Sequence, residues 1–136
     1  MIIQVVPTNF TAQIWPKIEP FIEGAEEYAE GDYSLDQIKM YVTQGNWALF
    51  IALEDDGIKG AMTVSFQNYP NDRVAFVTCT GGKLICTEDS LNQLKRHLIA
   101  MGATKIQAVG RDSVVRMLQG LGFKKRYTVV ETTIGE

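Results

Sequence analysis

One histidine, two cysteines and four prolines are all that 136 residues hold of those types, and no apolar run approaches the roughly eighteen residues that span a bilayer. The lone histidine, His97, leaves no basis for a zinc site, which needs several nitrogen or sulfur ligands together. Cys79 and Cys86 are too far apart for a C-x-x-C pair and too few for a disulfide framework. The opening Met1-Ile2-Ile3-Gln4 has no basic region, long apolar segment or small-residue cleavage site, so no secretory leader is expected. These absences point to a soluble protein of a reducing, cytoplasmic compartment, with no metal and no membrane partner. No repeat, linker or low-complexity stretch interrupts the sequence, whose length suits a single domain over 1–136.

What is present supports a packed core. A hydrophobic fraction of 46% is ordinary for a globular chain of this size. The net charge of −3 conceals a polarised sequence. Glu19, Glu23, Glu26, Glu27, Glu30, Asp32 and Asp36 follow one another with no Lys or Arg between them. Lys95, Arg96, Lys105, Arg111, Arg116, Lys124, Lys125 and Arg126 are interrupted by one acid, Asp112. Two readings stay open: solvated faces of helices and edge strands, or a cationic ligand near the acidic segment and an anionic one on the C-terminal half. Nucleic acid is not an expected partner, because the chain is acidic overall and carries no recognised binding motif.

Along the chain, Ile2 to Val6 reads as a short strand closed by Pro7. Thr8 or Asn9 caps a helix to about Ile22, with Trp15, Ile18, Phe21 and Ile22 inward. Pro16 and Pro20 predict that this helix is broken or short. Ser34-Leu35-Asp36-Gln37 is a capping box that opens a second helix, stopped at Gly45. Trp47 to Leu53 and Ile58 to Phe66 flank Glu54-Asp55-Asp56-Gly57, a hairpin signal. A third strand runs from Arg73 to about Thr80 and is broken by Gly81-Gly82-Lys83. Thr87 caps a helix with Glu88 and Asp89 in its first turn and Leu91, Leu94, Leu98 and Met101 inward, ending at Gly102.

The tail closes the pattern. Lys105 to Val109 reads as a buried strand, Gly110-Arg111-Asp112 as a break, and Ser113 to Leu121 as an amphipathic helix. There Val114, Met117, Leu118 and Leu121 share a face at the period of about 3.6 residues, and Gly122 supplies the cap. A β-type run, Lys124 to Ile134, finishes the chain. The stretch Arg111 to Phe123 resembles the closing motif of the GNAT acetyltransferases, a helix written N-x-x-A-x-x-x-Y-x-x-x-G-F between two strands. Gly60, early in the second hairpin strand, is similar to a glycine common at that point in the family. The element order β-αα-βββ-α-β-α-β is likewise the GNAT topology. The resemblance implies an α+β fold layered α/β/α, with a mixed, mostly antiparallel sheet.

The resemblance also implies a site. In the family, acetyl-CoA lies in a gap between the fourth and fifth strands, its pyrophosphate on backbone amides at the start of the following helix. That placement suits an anion for general reasons. Carried onto this chain, Val77, Thr78 and Cys79 would hold the pantetheine arm as an added strand. Gly82, Lys83, Leu84, Ile85, Cys86 and Thr87 would meet the pyrophosphate, and Arg111 or Arg116 would lie near the nucleotide. The family loop is written Q/R-x-x-G-x-G/A, whereas this chain has Gly82, Ile85 and Thr87 at its three marked positions. Gly81-Gly82-Lys83 is either a different anion cradle or a plain connector.

The family's tyrosine acid falls on Leu118, its asparagine on Arg111 and its alanine on Val114, and Val74 to Thr80 carries no carboxylate base. The catalytic residues are therefore unknown, with Tyr127 in the last strand as the one candidate acid. His97 reads as a packed histidine, and Cys79 as a small buried residue without a histidine beside it. Trp15, Tyr28, Tyr33 and Trp47 would shape an acceptor pocket or anchor the core. Two functions follow. One is an N-acyltransferase passing an acetyl group from acetyl-CoA to the amine of a small molecule or protein. The other is a non-catalytic GNAT-fold assembly protein, homo-oligomeric or bound to a protein partner. Similar degenerate GNAT-like proteins are encoded by bacteriophages, which would place this one in the host cytoplasm or the virion.

Overall fold

The computed structural model of this chain describes residues 1–26 and 32–135. In chain order it builds β1 (Ile2–Val6), a single 3-10 turn (Thr8–Phe10), α1 (Thr11–Glu26), α2 (Leu35–Thr43), β2 (Ala48–Glu54), β3 (Gly57–Asn68), β4 (Arg73–Gly82), α3 (Glu88–Ala100), β5 (Lys105–Ala108) and α4 (Asp112–Gly120). The strands form one sheet in the order β1-β2-β3-β4-β5. All neighbours run antiparallel except β4 and β5, which are parallel. The expected α+β architecture, mixed and mostly antiparallel, is the one that forms.

Each face of the sheet carries its own core, as alternation along the strands requires. On one face Phe50, Ala52, Met62 and Val64 pack with Leu94 and Leu98 of α3. On the other, Leu49, Ile51 and Ala61 pack with Trp15, Ile18 and Ile22 of α1 and Ile38 and Val42 of α2. The result is helix, sheet, helix. The β1 edge is clasped by α3: Gln93 accepts from the Ile3 amide at 2.9 Å and donates to the Met1 carbonyl, while a His97 ring nitrogen lies 2.9 Å from the Ile3 carbonyl. His97 is thus the packed histidine expected, against Phe50 at 5.9 Å between rings.

Local signals explain most boundaries. The Ser34 hydroxyl accepts from the Gln37 amide, and the Gln37 side chain accepts from the Ser34 amide, so the capping box forms as read. Gly57, at φ 127°, turns the β2–β3 hairpin in a region other residues avoid.

Three expectations change. The proline-broken helix is instead one 16-residue helix with Pro16 and Pro20 inside it. Ala12, Pro16 and Pro20 share an exposed stripe, so the carbonyls that lose their amide partners face water. The buried stripe of Thr11, Trp15, Ile18 and Ile22 holds the helix on the sheet regardless. The closing strand, Lys124 to Ile134, does not form, and the sheet stops at five strands. Val129, Val130 and Ile134 are 73%, 89% and 102% exposed. β propensity expresses the fit to a neighbouring strand and a packed face, and this segment has neither. β4 also runs on through Gly81 and Gly82 rather than stopping before them.

Candidate functional site

β4 and β5 pair at Val74↔Lys105, Ala75↔Ile106, Phe76↔Gln107 and Val77↔Ala108. Among the described residues no strand pairs with that side of β4 beyond Val77, although β4 continues to Gly82. β5 is paired along all four of its residues, so the pairing ends where β5 ends, and that end coincides with a bulge in β4. Against β3, Val77 faces Val64 and Cys79 faces Thr63, leaving Thr78 as the extra residue. The Thr78 hydroxyl donates to the Thr63 carbonyl at 3.0 Å and lies 2.9 Å from the Thr63 hydroxyl, which fixes the bulge.

The bulge reverses which way β4 presents its side chains. Val77 packs in the α3-side core, and Cys79, two residues later, packs in the α1-side core. A regular strand would keep both on one face. Beyond the bulge Thr80 is exposed. Ala108 on the opposing wall is half-buried, and Val109 just beyond it is 72% exposed.

The start of the β4–β5 pairing is clamped. Asp72 pairs with Lys105 at 3.1 Å and accepts from the Thr104 hydroxyl at 3.0 Å. Thr104 in turn accepts from the Arg73 amide, and its own amide donates to the Arg73 carbonyl at 2.8 Å. The Lys105 ammonium, then the Thr104 hydroxyl, hold the Asp72 carboxyl below its ordinary value.

The open end of β4 is held against α1 and β3. A side chain at Gly81 would collide with the Phe21 carbonyl, one at Gly82 with the Lys59 carbonyl, and one at Gly60 with the Lys83 carbonyl. These glycines admit close backbone contact, and that accounts for the Gly81-Gly82 pair and for Gly60. The Lys83 amide extends the β3–β4 ladder by donating to the Lys59 carbonyl at 2.9 Å.

Several amides of the stretch from Lys83 to Thr87 are already bonded. Leu84 is 2% exposed and belongs to the α3-side core, with Ile85 packed against it. The amides of Cys86 and Thr87 both donate to the Ser90 hydroxyl, at 3.2 and 3.1 Å. The Ser90 amide donates to the Thr87 hydroxyl at 3.1 Å, and the Ser90 hydroxyl donates back to the Thr87 carbonyl at 3.0 Å. Ser90 is fully buried. The sequence marks it only faintly, since Thr-x-x-Ser is a weaker form of the capping signal that marks Ser34.

The remaining candidates are dispersed. Arg111 is the N-cap residue of α4 and Arg116 lies on its exposed side. Leu118 is the buried residue of that helix. Tyr127 stands on the tail, 65% exposed, with the Arg126 guanidinium 5.7 Å from its ring centre. Cys79 is buried and Cys86 is exposed. Tyr33 meets Trp47 edge-on at 4.9 Å and Tyr41 stacks on it at 4.6 Å; Trp15 and Trp47 are core residues. Tyr28 lies outside the described residues. Two open clefts, of about 560 and 670 Å3, lie elsewhere, and neither is lined by a carboxylate, thiol or histidine. Among the described residues no helix is long and apolar enough to cross a membrane.

The sequence matches no protein-family model and no curated protein. Solved structures do resemble it. One is an aminoglycoside acetyltransferase, meta-AAC0020, from an uncultured soil metagenomic sample in complex with trehalose. It shares 14% identity over 98% of this chain and 95% of its own, at a TM-score of 0.69. Its complex with sisomicin gives 0.68, again at 14% identity and over 98% and 95% of the two chains. Another is a predicted acetyltransferase with acetyl-CoA from Clostridium acetobutylicum, at 14% identity over 97% and 95% of the two chains and a TM-score of 0.62. At such identities the likeness is one of fold.

Proposed function

We propose that this chain, whose fold is that of the GNAT acetyltransferases, is an N-acyltransferase that receives an acetyl thioester arm between β4 and β5. The observation that carries the reading is the end of strand pairing at Val77↔Ala108, beside the Thr78 bulge. An extended arm of amide groups suits that space, because it can add to β4 at Val77, Thr78 and Cys79 as a strand would. A bulge also takes one residue's backbone out of the regular ladder. A backbone donor there serves a thioester oxygen as charge develops on it.

Acetyl-CoA would enter this site by its arm, and when bound it would supply the activated acetyl group. In the transfer the acceptor nitrogen bonds to the thioester carbon, the carbon–sulfur bond breaks, the amine gives up a proton and the leaving thiolate takes one. The chain's part is to hold the thioester extended and to leave room for the amine to approach. Orientation of this kind supplies much of the rate without a dedicated acid. Leu118 offers no proton, so protonation of the thiolate falls to water at the open mouth of the wedge. The acceptor is an amine, and the exposed Glu23, Asp32 and Asp36 favour one that carries positive charge. The aminoglycoside acetyltransferase seen with sisomicin is a fold relative consistent with a small-molecule acceptor.

The test joins binding to turnover. Acetyl-pantetheine and acetyl-CoA at millimolar concentration should each raise the melting temperature, and an amine panel should release free thiol. If neither thioester raises it, the transferase reading is lost.

A further inference from the structure

We infer that the donor is recognised through its pantetheine arm alone, and that the diphosphate of a nucleotide-borne thioester is left in solvent. The inference rests on the transferase reading above and names its donor class: a pantetheine thioester that does not need the nucleotide.

A diphosphate at a helix N-terminus is held by N–H groups that have no partner of their own. Here the Lys83 amide is spent on the Lys59 carbonyl. The Cys86 and Thr87 amides are spent on the Ser90 hydroxyl, and the Ser90 amide on the Thr87 hydroxyl. The groups at the first turn that would complete a cradle stand beside two exposed carboxylates, Glu88 and Asp89. Asp89 is further tied to Gln93, whose amide donates to it at 2.9 Å. Those carboxylates use the helix dipole that an anion would otherwise use, and they repel a diphosphate.

Nor is the loop free to rearrange. Leu84 anchors it in the core at 2% exposure, and Ser90, at its far end, is fully buried. The backbone of Gly81 and Gly82 is already in contact with Phe21 and Lys59. The side chains of Ile85 and Thr87 stand where close approach of a phosphate would need none. The wedge therefore suits the uncharged arm, while the loop beside it excludes the charged end.

Titration calorimetry with acetyl-pantetheine, acetyl-CoA and ADP, at low and high salt, tests this. The two thioesters should bind within about threefold of each other, with little dependence on salt, and ADP should not bind. Carrier-protein-borne acetyl-phosphopantetheine, run in parallel, should bind at least as well as the free arm, while weaker binding of it would confine the donor to free pantetheine thioesters. An acetyl-CoA affinity about tenfold or more above that of acetyl-pantetheine, shrinking in high salt, would overturn the inference. Failure of both thioesters would instead sink the transferase reading and this inference with it. A second arm uses the triple variant Ser90→Gly, Glu88→Gln and Asp89→Asn, checked by circular dichroism. Freed amides and absent carboxylates should raise affinity for acetyl-CoA about fivefold and leave acetyl-pantetheine unchanged. An unaltered ratio in a folded variant counts against the account.

Discussion

The Phe21 carbonyl of α1 occupies the space that a side chain on Gly81 would need. The contact joins the C-terminal half of α1 to the stretch of β4 beyond the bulge, close to where Cys79 packs under Ile22. Gly81→Ala therefore has no cheap outcome, because backbone rather than a flexible side chain must move. It should lower stability by about 2–3 kcal/mol, at the upper end of ordinary overpacking. The midpoint of urea unfolding measures this. A loss below about 0.5 kcal/mol would show that α1 does not sit where it is described.

The Asp72–Lys105 clamp at the base of the wedge makes a pH prediction. Asp72 sits below its ordinary carboxylate value because Lys105 and then Thr104 stabilise its charged form. The stabilisation is therefore complete above the ordinary carboxylate range and is lost as pH falls through the lowered folded value. Asp72→Asn should be less stable than the native chain at neutral pH, and the two should converge in strong acid. Unfolding midpoints across a pH series give the answer. A gap that stays constant down to strong acid would mean the carboxylate charge is not what holds the strands.

The tail contributes little. Residues 124–135 bury no side chain, and the Arg126 guanidinium lies over the ring of its neighbour Tyr127. Removing everything after Phe123 should change stability by less than about 0.5 kcal/mol. Arg126 does add to the field that favours the Asp72 charge, but as its last and smallest influence. A loss above about 1 kcal/mol in the truncated chain would show that the tail packs after all.

These cases show what the residue pattern reveals and what it hides. Ser34–Gln37 and Thr87 announce their helices because caps are short-range chemistry, complete within four residues. The strands of the meander are equally legible, since alternation is local. Thr78 is not. Val74 to Thr80 reads as one uninterrupted strand, and only the neighbours of Val77 and Cys79 reveal that the faces have exchanged. The prolines of α1 mislead for the opposite reason: their local penalty is real, but the buried faces of Trp15, Ile18 and Ile22 outweigh it. The tail misleads because strand propensity says nothing about whether an edge is there to receive it. Ser90 escaped notice because a serine at that position is common, and its two accepted bonds depend on the loop folding back over it.

The wedge itself can be tested by filling it. Ala108 is half-buried against the α3-side core, so a large residue there would disturb packing as well as block the gap. Thr80 is the better place, being exposed on β4 beyond its pairing with β5. Thr80→Trp adds volume where the thioester arm would lie and takes nothing from the core. It should leave the melting temperature within a few degrees of the native chain, as surface changes do. Thioester affinity should nonetheless fall by about tenfold or more. Asn92→Trp, on the exposed side of α3, supplies the control for a new surface tryptophan. If Thr80→Trp binds thioester as well as the control does, the arm does not run along β4, and the parting of the strands at Val77 has another purpose.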